Sequence, residues 1–240
     1  FNNKKINKDM KIFQTHFDKN ELNNFNILSD FKKIPFGSNF ILSAINLAFL
    51  GYYAVNKVHP YNNLYLWTDG IWAEKYTNLQ KKPGRELIKK IIIPNSIKNI
   101  FIIGNISNKS KAYLNKRFKK KITQQKMPYG DIKSLKKIKI KLPDNSLTFI
   151  TMPTPKQEQL AYSIAKNNTK YKIICIGASI SIASNQEKAV PKFFKNYEFI
   201  WRLQTDTLRR LSRILETLYF YFKAKFFSNK YLNTSFKIID

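Results

Sequence analysis

Four short stretches carry the residue types that chemistry needs, and each directly follows an apolar run: Asp69-Gly70, Gly104-Asn105, Pro155-Lys156-Gln157-Glu158 and Gly177-Ala178-Ser179. Asp69 closes the run NLYLWT, where a carboxylate can take the proton of an attacking hydroxyl. An Asp ahead of a helical run serves equally as an N-cap. Lys156 can meet a phosphate as a point charge. Arginine is scarce beside lysine, so its placement carries information. Arg202, Arg209 and Arg213 are spaced seven and four apart, and their planar forks suit oxyanions through paired, charge-assisted hydrogen bonds. His16 and His59 have no Cys or carboxylate at ligand spacing, so no zinc site is expected; Asp131, Asp144 and Asp206 stand isolated in sequence, so no metal site is read from them and a divalent metal stays open. Neither a Gly-x-Gly-x-x-Gly nor a P-loop is present, and no cofactor is expected.

The elements that must hold these groups are legible as alternating patterns. FILSAINLAFLGYY from residue 40 reads as a strand running into a helix. NLYLWT, KNIFII, SLTFIT and YKIICI read as buried strands, while IWAEKYTNLQ, SKAYLNKRF and EQLAYSIAKNN have helical spacing. Strands alternating with helices of about 10–15 residues predict an α/β, Rossmann-like, mostly parallel sheet flanked by helices. Ligands in such sheets bind beyond the carboxyl ends of the strands, which would bring the four stretches to one rim.

The chain has 240 residues, 43 % of them hydrophobic and 15 % aromatic, enough to bury a core and too apolar for disorder. Its formal charge is +28, which implies a polyanionic partner or a lysine-rich bias spread over the whole surface. The one cysteine, Cys175, lies within the apolar run 171–176 and reads as a core residue of a protein kept in a reducing compartment. No apolar stretch is long enough to span a bilayer and the first residues lack a signal-peptide core, so a cytoplasmic or peripheral protein is expected. Residues 1–35 read as a polar N-terminal extension, 36–195 as the α/β domain, and 196–240 as a helical tail.

That tail is amphipathic. Ile200, Leu208, Leu211, Leu215, Leu218 and Phe222 gather on one helical face, with Arg202, Arg209 and Arg213 opposite. Tyr219-Phe220-Tyr221-Phe222 and Phe226-Phe227, interleaved with Lys223 and Lys225, fit a helix lying in a membrane interface; an ordinary packed helix with a solvated charged face fits too.

In this order the pieces resemble the WecG/TagA/CpsF glycosyltransferases, from about residue 39 to residue 222. ITMPTPKQEQLAYSIAKN is similar to that family's strand, Gly-x-Pro-Lys-Gln-Glu and helix. IICIGASISIAS resembles the strand and glycine-rich loop that follow, and AVPKFFKNYEFIWRLQTDTLRRLSR the Arg-Ala-Pro to Glu-Trp-x-x-Arg-Leu tail. LWTDGIWA resembles the Pro-Asp-Gly block and PGRELI the Gly-x-Asp-Leu block. Ile180-Ser181 stands where the family has Phe-Asp, Ala44 where it has Thr, and Gly104-Asn105 where it has Gly-Gly.

The resemblance implies an inverting transferase that moves an N-acetylmannosamine-like N-acetylhexosamine from a UDP-sugar to a polyprenyl-diphosphate-linked saccharide. The setting would be bacterial capsule or cell-wall polymer synthesis, at the cytoplasmic face of the plasma membrane, with an anionic membrane surface as partner. Asp69 is then the expected base. Asn46, Arg85, Lys156, Gln157, Glu158 and Gly177 are expected at the substrates, and Arg202, Arg209 and Arg213 at the lipid diphosphate. Three of the substrate residues have a plainer reading: Asn46 as a turn residue, Arg85 with Glu86 as a surface ion pair, Glu158 as a first-turn acid. A nucleic-acid-binding protein, suggested by RFKKKITQQK (117–126) and the charge, and a non-catalytic membrane scaffold are the alternatives. A homo-oligomer is compatible with the sequence.

Overall fold

The computed structural model describes residues 25–56, 63–70, 73–74, 77–186, 211, 214–220, 222 and 236–239. Its strands are β1 (Phe25–Leu28), β2 (Phe40–Ile45), β3 (Leu64–Thr68), β4 (Asn99–Ile103), β5 (Lys121–Gln125), β6 (Ser146–Ile150), β7 (Lys172–Cys175) and β8 (Phe236–Ile239). They form one eight-stranded sheet in the order β5-β4-β6-β7-β2-β3-β1-β8. Every pairing is parallel. A parallel sheet is covered on both faces, which is why FILSAI and NIFII are nearly unbroken apolar runs, and why SLTFI is buried at every position although Ser146 and Thr148 alternate with Leu147 and Phe149.

The helices are α1 (Leu47–Asn56), α2 (Gly84–Lys90), α3 (Asn108–Phe118), α4 (Ile132–Lys136), α5 (Lys156–Asn167) and α6 (Ser179–Ala183). Alternation along β2 divides the core. Ile41 and Ile45 pack with Phe49, Leu50 and Tyr53 of α1 and with Leu160, Ala161 and Ile164 of α5. Phe40, Leu42 and Ala44 point the other way, to Leu87 and Ile88 of α2, Leu114 and Phe118 of α3, and Ile180 and Ala183 of α6. The chain is thus a three-layer, Rossmann-like α/β domain.

Two expected boundaries are corrected. Residues 1–35 are not wholly an extension, because β1 is an interior strand between β3 and β8, and Phe25, Ile27, Leu28 and Phe31 are buried. Nor is 196–240 wholly a helical tail, because β8 pairs with β1 along its length, and Ser29 N–H and Oγ both bond to Ile239 O at 3.2 and 3.0 Å. At the opposite edge, the basic run 117–126 is shared between the end of α3 and β5. Lysine on such an edge strand discourages pairing with a second chain. Two of its cations are already engaged. Arg117 donates to Lys89 O and Ile91 O at 2.7 and 3.1 Å, and Lys120 to Ile97 O at 2.7 Å.

Candidate active site

All four polar stretches do lie at the carboxyl ends of strands: Asp69 beyond β3, Gly104 beyond β4, Thr154–Glu158 beyond β6 and Gly177 beyond β7. The pocket on this rim has a volume of about 330 Å3. Its walls come from the turn after β2 (Asn46, Leu47, Ala48), the end of β3 (Asp69, Gly70), the loop before α5 (Thr154, Pro155), and Glu216, Thr217 and Phe220.

Local bonding fixes each wall. Asp69 N–H donates to Ile45 O at 3.1 Å, one step past the β2–β3 ladder, so the aspartate stands beside Asn46. Thr68 Oγ1 donates to Gln80 O at 2.7 Å and Lys82 N–H to Thr68 O at 2.8 Å, which pins the returning chain to the same strand end. Asn46 Oδ1 accepts from Phe49 N–H at 3.0 Å and caps α1, so the plainer reading of Asn46 is sharpened from a turn to a helix cap. With its oxygen so used, the amide nitrogen is the end of Asn46 that can donate into the pocket. The first turn of α1 opens here, and its N–H groups and positive dipole end favour an anion.

The polar knot is placed differently from what the resemblance implied. Gln157 is 3 % exposed and Glu158 0 %, so both are interior groups and neither lines the pocket. Glu158 Oε1 accepts from Ser43 Oγ at 2.7 Å, Gln157 Nε2 at 2.9 Å and Thr154 Oγ1 at 3.1 Å. Gln157 Nε2 also reaches Thr154 Oγ1 at 3.0 Å, and Gln157 Oε1 accepts from Gly177 N–H at 3.0 Å. Gly177 sits at φ +55°, a left-handed conformation glycine adopts without strain, and this turns its N–H onto the glutamine. The second carboxyl oxygen of Glu158, Oε2, is buried with no hydrogen-bond partner among the described residues. Burial pushes the Glu158 carboxyl up, against the pull of its donors. Tyr52 on α1 is pushed up to about 12, by its own burial first and then by the charge of Glu158. Burial likewise raises the Cys175 thiol, and Cys175 is a core residue, as its position in the sequence implied.

Lys156 extends outward and donates to Gly130 O at 2.8 Å. Arg85 occupies the first turn of α2, away from the pocket lining. The expected Arg85–Glu86 pair is replaced by Glu86–Lys90 at 3.3 Å, one helical turn apart. Arg202, Arg209 and Arg213 lie outside the described residues, as do His16, His59 and Asp206. Of the expected site residues, then, the base Asp69 and the substrate contact Asn46 meet in the pocket, while Arg85, Lys156, Gln157, Glu158 and Gly177 are not among its walls.

Thr154, Glu216 and Thr217 were not singled out from the sequence, Phe220 was read there only as one of the aromatics of an interfacial helix, and no local pattern marks any of the four as a neighbour of Asp69. Phe220 packs edge-on against Tyr52 of α1, with centroids 6.0 Å apart. This brings residues 216–220 to the rim. The opposite side of that helical stretch is open: Leu211, Leu215, Leu218 and Phe222 are 43, 58, 37 and 48 % exposed. Among the described residues no helix is long and apolar enough to cross a membrane.

No curated protein matches the chain. The sequence profile of the glycosyl transferase WecG/TagA/CpsF family matches residues 73–233, from just beyond Asp69 through the polar knot and the pocket-lining helical residues. That range begins later than the resemblance suggested, so Asn46 and Asp69 rest on the geometry. It spans more than half of the sequence, and the chain belongs to the WecG/TagA/CpsF glycosyltransferase family.

Proposed function

We propose that the protein transfers an N-acetylhexosamine, of N-acetylmannosamine type, from a UDP-sugar to a polyprenyl-diphosphate-linked saccharide, with inversion. The observation that carries this reading is the rim pocket in which Asp69, Asn46, Thr154 and the first turn of α1 converge. Asp69 takes the proton of the acceptor hydroxyl as its oxygen bonds to the anomeric carbon. The bond from that carbon to the diphosphate breaks, and UDP leaves with the electron pair. The α1 N-terminus offers dipole and N–H groups to a diphosphate, which the pocket's two carboxylates, Asp69 and Glu216, do not. Arg202, Arg209 and Arg213 neutralise the acceptor's lipid diphosphate in this reading. The exposed stripe Leu211, Leu215, Leu218 and Phe222 then rests among headgroups, as suits an interfacial amphipathic helix on the cytoplasmic leaflet.

Calorimetric titration with UDP, UDP-N-acetylglucosamine and UDP-N-acetylmannosamine, with lipid supplied, tests it. A uridine nucleotide should bind. Asp69→Asn should keep that binding and lose transfer by about 10²–10⁴-fold. Absence of nucleotide binding by folded protein, or full transfer by Asp69→Asn, defeats the reading. Salt-steep retention of DNA would favour the nucleic-acid alternative instead.

A further inference from the structure

The knot poses a problem that the transfer reading does not solve: its two most distinctive side chains are buried. Glu158 joins three separate pieces of chain. Ser43 belongs to β2, three residues before Asn46; Thr154 belongs to the pocket wall; Gln157 continues the network to Gly177 beyond β7. Ser43 and Cys175 are register partners on the central strands, so Glu158 sits over the middle of the sheet. Ser43 is the polar exception within FILSAI, and Glu158 is its partner. These three donors converge on Oε1, while Oε2 has none among the described residues.

We propose that Glu158 is a positioning residue that acts through Oε1 as a hydrogen-bond acceptor, setting Thr154 and the Asn46 turn against each other across the pocket. Its charge is not what the site uses. The groups that face it from each neighbouring element are Ser43 on β2, Tyr52 on α1, Thr154 and Gln157 on its own segment, and Cys175 on β7, with Tyr162 of α5 beyond. Among the described residues none of these groups is a cation, and a buried charge without a counter-ion is costly. The direction of the carboxyl's titration agrees with this.

A glutamine at this position keeps the acceptor and removes the charge; an alanine removes both. This inference rests on the transfer reading for its kinetic arm, and two further arms do not depend on it. In the kinetic arm, Glu158→Gln should hold kcat and KM within about threefold, while Glu158→Ala loses about 10²-fold in kcat/KM through both, as misplaced walls demand. In the second arm, the amide resonances of Thr154 and Gly177 should keep their positions in Glu158→Gln and move in Glu158→Ala. In the third, the carbon resonance of the Glu158 carboxyl should titrate above the ordinary value of about 4.3.

A loss of about 10²-fold in Glu158→Gln with Thr154 and Gly177 unmoved would make the carboxylate itself a working group and overturn the proposal. So would unmoved resonances in Glu158→Ala, or a titration midpoint at or below about 4.3. Should the wild type show no transfer, the transfer reading fails, and the resonance and titration arms still decide this one. Should Glu158→Ala fail to fold, Ser43→Ala, which removes one of the three donors, takes its place: the Thr154 amide resonance should move from its wild-type position, and an unmoved resonance would overturn the proposal.

Discussion

Replacing Gln157 by alanine tests whether the polar knot is scaffold. The side chain makes three hydrogen bonds: to Thr154 Oγ1 and Glu158 Oε1 from Nε2, and from Gly177 N–H to Oε1. A buried hydrogen bond contributes about 1 kcal/mol net, which puts the loss near 3 kcal/mol. The deserted partners are not all orphaned, since Gly177 N–H keeps Ile150 O at 3.2 Å and Glu158 keeps Ser43 and Thr154. That restrains the loss rather than adding desolvation to it. For a chain of this size 3 kcal/mol corresponds to a fall in melting temperature of about 6–12 °C. Urea unfolding should show a lower midpoint with an unchanged slope, because the surface exposed on unfolding is the same. A variant within about 0.5 kcal/mol of wild type would refute the reasoning, since that is the scatter of an ordinary surface substitution. Gln157 would then have to be read as a ligand group that the structure happens to show folded inward.

Further outcomes follow from the same geometry. Gly104→Ala should cost about 1–3 kcal/mol, because Gly104 lies at φ +122° and an added Cβ would meet Thr151 Oγ1; Gly104→Ala with Thr151→Ala should recover the steric part, leaving the backbone strain, as thermal unfolding would report. Phe220→Ala removes the ring that packs on Tyr52 and should free residues 214–220 from the rim, read as faster amide exchange there with β2 and β7 unchanged. The Glu158 carboxyl, held above its unfolded value by burial, contributes stability that is fully present below about pH 4.3 and is lost as pH rises through the folded value. Subtracting the Glu158→Gln stability profile from that of wild type should therefore leave a difference that falls with rising pH; a difference that rises would contradict the burial argument.

Much of this protein was written locally. Runs such as FILSAI, NIFII and KIIC are largely apolar on both sides of the strand, which only a sheet covered on both faces requires, so the α/β class and the rim position of Asp69, Gly104, Gln157 and Gly177 were legible from pattern. The family signature was legible for the same reason, being a run of neighbours. Two classes of fact were not. β1 and β8 are four residues each, with no periodicity to mark them, and their pairing joins Ser29 to Ile239 across nearly the whole chain. Short strands acquire their hydrogen bonds only from a neighbour that the fold supplies, so sequence pattern places them in polar segments. The second class is the inward turn of the knot. Gln157 and Glu158 look like exposed first-turn residues, and which way they face depends on how α5 is rolled over β2 and β7. That roll is set by the burial of Leu160, Ala161 and Ile164, and by the single polar notch that Ser43 leaves in β2. Local propensity determined that these residues would sit at a strand end; only packing across the sheet decided that they would hold the pocket together from beneath.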